Sequence, residues 1–262
     1  MLNFSDIYSF FETFAPSSLQ EPYDNSGCLL SSEAEFCTGV LFALDLTQAV
    51  LKEAIEKKCN LIVTHHPFLF KSFKKIGHFT IQDQILRRCI QENIAIYAIH
   101  TNLDKIKTGV NGAWADFFGL KNIEILAPEV KNSEIGLGCV GILPKKMEIQ
   151  AFLQHLKEKM ALKVIRHSNL IFKEIQKIAF CGGAGFSLLP QVLAQKADIF
   201  ITADLKYHDF FSAENQIILV DIGHYESEKH SIMLLHEVFT KKFYNFVAHS
   251  TTVDTNSIHY LI

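Results

Sequence analysis

Apolar and polar positions follow two different periods along this chain. From Cys37 the order is a short apolar run (GVLFALDL), then apolar residues three and four apart (TQAVLKEAIEKKC), then a second apolar run (NLIVT) that stops at two histidines. A short continuous run of β-branched and apolar residues is what a strand buried on both faces requires, and a 3.6-residue period marks a helix with one buried face. The same order returns from Lys177 as KIAF, CGGAGFSLLPQVLAQ and KADIFITAD. The ends agree best: KKCNLIVTHH beside QKADIFITAD sets Thr64 on Thr202 and His65-His66 on Ala203-Asp204. Each copy then continues through more helical sequence to a further apolar strand, NIAIYAIHTNLD in the first and QIILVDIGHYESE in the second.

The pattern predicts an α/β fold of two pseudo-repeats built from strand–helix–strand units, with mixed, largely parallel sheets. The first repeat covers 1–126 and the second 127–262, packed as one compact unit. Between Ala127 and Phe172 the sequence predicts a strand, a helix opened after Pro144 and another strand that joins the halves. At 262 residues the length permits either one large core or two intertwined α/β halves.

Composition narrows the chemistry by exclusion. Hydrophobic residues make up 48% and charged residues 20% of the chain, enough for a large core and unlike a disordered segment. The formal net charge is -3, and no run of basic residues is long enough to neutralise a phosphate backbone, which argues against non-specific nucleic-acid binding. Six scattered cysteines form no CxxC pair and read as reduced thiols. The start, MLNFSDIYSFFETFAP, lacks the basic opening of a signal peptide, and no apolar stretch reaches the roughly 18 residues of a membrane span. These features together predict a cytoplasmic protein with no membrane contact.

Candidate chemistry gathers at the predicted strand tips. Ligands in open α/β sheets collect beyond the carboxyl ends of the strands, and His65, His66, Asp104, His224 and Glu228 all fall there. His100 and Asp104 are four residues apart, as are His224 and Glu228, so an H-x-x-x-[DE] element occupies the same place in both repeats. One strand-end histidine commonly just hydrogen-bonds to backbone. A duplicated constellation is a different matter. Successive side chains in an extended strand point apart, so His65 and His66 can each reach a different ion. Imidazole and carboxylate donors suit zinc, iron, manganese, nickel or cobalt, and in a two-metal site Asp104 or Glu228 would supply the bridging oxygen. His100 could either ligate or orient a ligand from behind, and the orienting role is the one favoured.

Asp204 and His208, in ITADLKYHD, are candidate catalytic residues: their spacing would bring them together on the first turn of a helix, where they could act as general acid or base. The bland alternative is an N-cap aspartate and a solvated helix start. The glycines of CGGAGFSLL could turn backbone N–H groups toward a phosphate, but no P-loop lysine follows and strand-to-helix turns recruit glycine anyway. Trp114, in GVNGAWADFFGL, reads as a core anchor on an amphipathic helix.

EPYDNSGCLL, VTHHPFLF, AIHTNLD, ITADLKYHD and GHYESE occur in an order that resembles the GTP cyclohydrolase I type 2 homologue family, also called Ngg-interacting-factor-three-like proteins. The resemblance spans nearly the full length. It implies two intertwined α/β repeats, a dinuclear centre of two divalent metal ions held by His65, His66, Asp104, His224 and Glu228, and a homohexameric ring whose sites face an internal cavity. It also implies a metal-dependent hydrolase acting on a small-molecule substrate, in the limit water attack on C8 of the guanine of GTP and opening of the ring. The alternative from another class is a non-enzymatic metal-binding regulatory or interaction scaffold. Tyr23 stands where the family is expected to carry tryptophan, and the chain is too short for the inserted domain of some relatives.

Overall fold

The computed structural model describes residues 2–71, 75–129 and 132–261. By contact the chain divides into two units, 1–103 with 231–257 and 104–230 with 258–262. This division differs from a cut at 126/127. Helix Val110–Phe117 belongs to the second unit because its Trp114 is clamped there, stacked on Phe118 at 4.4 Å and on Phe180 at 4.0 Å between ring centroids. Helix Ser231–Lys242 belongs to the first because Phe239 packs on Phe42 at 5.5 Å and on Phe11 at 6.0 Å. Burying large rings, not the sequence repeat, fixes these boundaries.

The first unit is a five-stranded sheet in the order Ala248–Ser250, Val40–Ala43, Leu61–Thr64, Ala95–Ala98, Gly27–Leu30. All neighbours are parallel except the last pair. VLFA, LIVT and AIYA are buried at every position, as strands covered on both faces must be. One cover is made by helices Gln48–Glu56 and Ile81–Gln91, whose Val50, Leu51, Ala54, Ile85 and Cys89 meet Leu41, Ile62 and Ile96. Both helices start on a threonine cap: Thr47 accepts from Val50 N–H, and Thr80 with Asp83 forms a reciprocal capping box.

The second unit is a six-stranded sheet in the order Lys121–Glu129, Asn132–Glu148, Glu174–Phe180, Ile199–Thr202, Ile218–Asp221, Arg166–His167. Its central three strands are parallel and its flanks antiparallel. Each unit thus contains the same parallel trio. Thr64 and Thr202, aligned in the sequence repeat, each end the middle strand of their trio. The sheets are mixed and partly parallel, as the pattern predicts. The linking segment departs in one detail: its strand runs through Pro144, and the helix opens at Ile149, where the Glu148 carboxylate caps Ala151 N–H at 2.7 Å. All six cysteines are free and five are buried. Among the described residues no helix is long and apolar enough to cross a membrane.

Candidate metal centre

In the first unit the middle strand hands its ladder on to the histidines. His65 N–H donates to Ala43 O at 3.2 Å and His66 N–H to Leu44 O at 3.0 Å, so both side chains start from backbone fixed by the sheet. Each imidazole is then held at Nδ1. His65 donates to Ile99 O at 2.8 Å, His66 to Asp45 Oδ1 at 2.7 Å and His100 to Asp24 Oδ1 at 2.7 Å. An Nδ1 that donates to a carbonyl or carboxylate carries the proton, which leaves the lone pair of the neutral ring on Nε2. The three rings lie 5.2 to 5.5 Å apart between centroids, and one ring nitrogen of each falls within 4.8 Å of the others. Such a trio of imidazoles could hold a metal ion.

The two supporting carboxylates remain ionised. Burial pushes the pKa of Asp24 up, but hydrogen bonds from His100 and Thr101 outweigh it and hold the group well below the usual carboxylate range. At Asp45 burial is likewise outweighed, chiefly by the hydrogen bond and charge of His66.

In the second unit the corresponding tip carries carboxylates. Strand Ile218–Asp221 turns at Gly223 (φ 89°) into the short helix His224–Glu228. His224 sits between two acids, with Nε2 3.1 Å from Glu228 Oε2 and Nδ1 2.8 Å from Asp204 Oδ2. The hydrogen bond to Glu228, opposed by burial and aided by Asp204, raises its pKa to about 9. Glu228 is only 3% exposed, and an oxygen of Asp104 lies within 4.8 Å of one of its own. Two acids this close repel unless a cation or proton lies between them. The donor chemistry therefore fits a divalent ion.

The glycine loop shapes this tip and does not cradle a phosphate. Gly182 N–H donates to Asn111 Oδ1, Gly183 N–H to Ser227 Oγ and Gly185 N–H to Thr202 Oγ1, at 2.9 to 3.0 Å. The N–H groups are already used. Gly183 has φ 62°, and a Cβ there would fall 2.4 Å from Glu228 Oε1, so the glycine makes room for the carboxylate. Asn111 also donates from Nδ2 to Asp104 O at 2.9 Å, tying that residue to the same loop. Burial keeps the nearby Cys181 thiol well above its usual pKa, and Asp104 and Glu228 add to this.

The structure thus brings His65, His66 and His100 together in the first unit, and Asp104, His224 and Glu228 in the second. His100 stands with the other rings, not behind them; the residues behind are Asp24 and Asp45, to which sequence reasoning gave no role. Asp45 follows VLFAL as His65 follows LIVT, so its place at an adjacent strand tip was the available signal. Asp204 and His208 do not pair. Asp204, in the left-handed region at φ 58°, turns to His224. His208 lies exposed on the 3₁₀ turn Tyr207–Ala213, against Tyr207 and Phe211. Asp204 lies before that turn with left-handed backbone, so the two residues do not share a helical face.

Fold and site together define a duplicated α/β protein whose parallel strands end in side chains that could hold a metal ion. The Duf34/NIF3 (NGG1p interacting factor 3) family model matches residues 2–257, and the chain belongs to that family. It is 34% identical over 237 residues to the GTP cyclohydrolase 1 type 2 homolog of Clostridium acetobutylicum, covering 89% of this chain and 88% of that one. Among solved structures it resembles a Staphylococcus aureus protein at 31% identity with a TM-score of 0.90, covering 98% of both chains. It also resembles reduced HcgD from Methanocaldococcus jannaschii at 28% identity with a TM-score of 0.78, covering 96% of this chain and 98% of that one.

Proposed function

We propose that the chain is a hydrolase dependent on two divalent metal ions, held by His65, His66, Asp104, His224 and Glu228, with His100 beside them. The observation that carries this reading is the trio of imidazoles in the first unit, each with its Nδ1 committed to a fixed acceptor. Core histidines need one hydrogen bond each and no common focus. Zinc, iron, manganese, nickel or cobalt would suit these donors. Bound there, such ions supply Lewis acidity, polarising a carbonyl or phosphoryl oxygen and lowering the pKa of water. The chain's own residues contribute fixed imidazole nitrogens from the first unit and negative charge from Asp104 and Glu228. Asp204 orients His224, and His208 is left as the acid–base candidate of its segment.

The substrate class we propose is a purine nucleotide or a related cyclic amide, with GTP as its limit. Relatives named GTP cyclohydrolase 1 type 2 homolog support this reading. We place the protein in the cytosol as a homohexamer, following the family resemblance. The test is to reload purified protein with manganese, zinc or iron and to offer nucleotides and cyclic amides. Turnover that disappears in Glu228→Gln supports a hydrolase; metal binding without turnover on any substrate rejects it.

A second reading, a metal-binding interaction scaffold, is favoured by one surface of the second unit. Tyr207 and Phe211 are 72% and 64% exposed beside a cavity of about 450 Å³ lined also by His167, Asn169, Phe210 and Glu214. Capture of a defined partner that Tyr207→Ala abolishes, with no turnover, would favour it.

A further inference from the structure

The last segment of the first unit carries no metal-ligand pattern, yet it grips the strand tips that support the histidines. After Ala248–Ser250 pairs in parallel with Val40–Ala43, Thr251 N–H donates to Phe42 O at 2.8 Å. The hydroxyls of Thr251 and Thr252 both donate to the Glu53 carboxylate, and Thr252 N–H reaches Oε1 at 3.0 Å. Val253 then packs against the core around Leu41, Ile62 and Ile96. Two residues on, the Thr255 hydroxyl donates to Asp45 Oδ2 at 2.8 Å. The other oxygen of that carboxylate is the one that accepts from His66 Nδ1 at 2.7 Å.

The terminal torsion of an aspartate is broad. A hydrogen bond through one oxygen alone leaves the carboxylate free to swing about Cβ–Cγ, and the imidazole with it. A second hydrogen bond to the opposite oxygen fixes the plane of the carboxylate. The plane sets the direction of the Nδ1–H bond, and through the rigid ring the direction of Nε2. Latched at Glu53 and seated by Val253, the segment brings Thr255 to this point from 210 positions along the chain.

We infer that residues 251–255 are a strap that positions the metal site, with Thr255, acting through Asp45, setting the orientation of His66. The inference rests on the reading of His66 as a metal ligand. Partners of this kind typically affect metal affinity by about 10- to 100-fold, and a threonine one step further removed belongs at the lower end.

The experiment uses the full chain and two readouts. In metal-free protein with ¹⁵N-labelled histidine, the wild type is expected to show His66 protonated at Nδ1, with slow exchange of that proton. Thr255→Val, which removes the hydroxyl and keeps the shape, should shift the resonance and speed exchange by about tenfold, and Thr255→Ser should restore both. In competition against a chelator, Thr255→Val should hold cobalt(II) about tenfold more weakly, again with rescue by serine. Thr240→Val is the control, since that hydroxyl bonds only within its own helix, to His236 O at 2.8 Å and Glu237 O at 3.2 Å. It should leave both readouts unchanged. An unaltered His66 resonance in Thr255→Val overturns the strap, whatever the metal does. A wild type that binds no cobalt, with the resonance still shifted by Thr255→Val, upholds the orienting contact and rejects the metal-site reading.

Discussion

The two units use the same parallel trio of strands and place opposite chemistry at its end. In the first, His65, His66 and His100 present imidazole nitrogens, each ring fixed by an acceptor at Nδ1. In the second, a charged His224 lies between Asp204 and Glu228, and a glycine loop leaves space for a buried carboxylate. A repeated backbone therefore does not imply repeated donors. It supplies two equivalent tips, and the residues after each strand give one three imidazoles and the other two carboxylates with a single imidazole.

The strongest way to break this contrast is to remove one donor from each tip. His65→Ala deletes a ring that is 0% exposed and leaves a carbonyl without its donor, so metal affinity should fall by at least about 100-fold, with a stability loss of about 1–3 kcal/mol. Glu228→Gln keeps the shape and removes the charge, so metal content and turnover should fall together. Elemental analysis after reloading checks both. Equal, full metal content in both variants would show that neither tip matters.

The next effect separates glycine as a spacer from glycine as a phosphate cradle. Gly183→Ala places a methyl group on Glu228 Oε1 and strains a residue at φ 62°. Metal affinity should drop by about 10- to 100-fold and stability by about 1–3 kcal/mol. Inorganic phosphate should have no influence on either. Protection by phosphate in the wild type would restore the cradle reading.

The units should also part company in pH, measured by denaturant unfolding of metal-free protein. Glu53, in the first, is held at about 2, with burial outweighed by hydrogen bonds from Lys57, Thr251 and Thr252. A depressed carboxylate contributes stability that is present above its unfolded pKa, near 4.5, and lost as pH falls toward 2. The loss should be on the order of 2 kcal/mol, and Glu53→Gln should flatten it. His224, raised to about 9 by Glu228 first and then Asp204, has the opposite sign. Its contribution is complete below its unfolded pKa of 6.5 and disappears as pH rises through 9. Metal binding at neutral pH should then release a proton from that ring, which calorimetry in buffers of different ionisation enthalpy would detect. No buffer dependence would show that His224 keeps its proton and does not ligate.

The smallest effect concerns the pair that the structure separates. Asp204→Asn should loosen metal by up to about tenfold, by releasing His224 Nδ1. His208→Gln should leave metal content unchanged, and lower turnover by about 10²- to 10⁴-fold only where it moves a proton. Equal metal loss in both would restore the pairing expected from their spacing.

Much of this was legible in the chain itself. The repeat, the buried strands and the strand-tip positions of the histidines follow from apolar periodicity, because burial on both faces admits few polar residues and lets them appear only where a strand ends. Trp114 was legible as a core anchor for the same reason. What tertiary structure alone decided is which groups face each other across loops. Asp24 reaches His100 from 76 positions away, and Asp45 reaches His66 from 21. Spacing within one segment suggested Asp204 with His208, but a left-handed residue and a 3₁₀ turn sent Asp204 to His224. Periodicity reports what a residue's own element does with its side chain, whereas a hydrogen bond between two strand tips depends on the register of the sheet, which no local pattern contains.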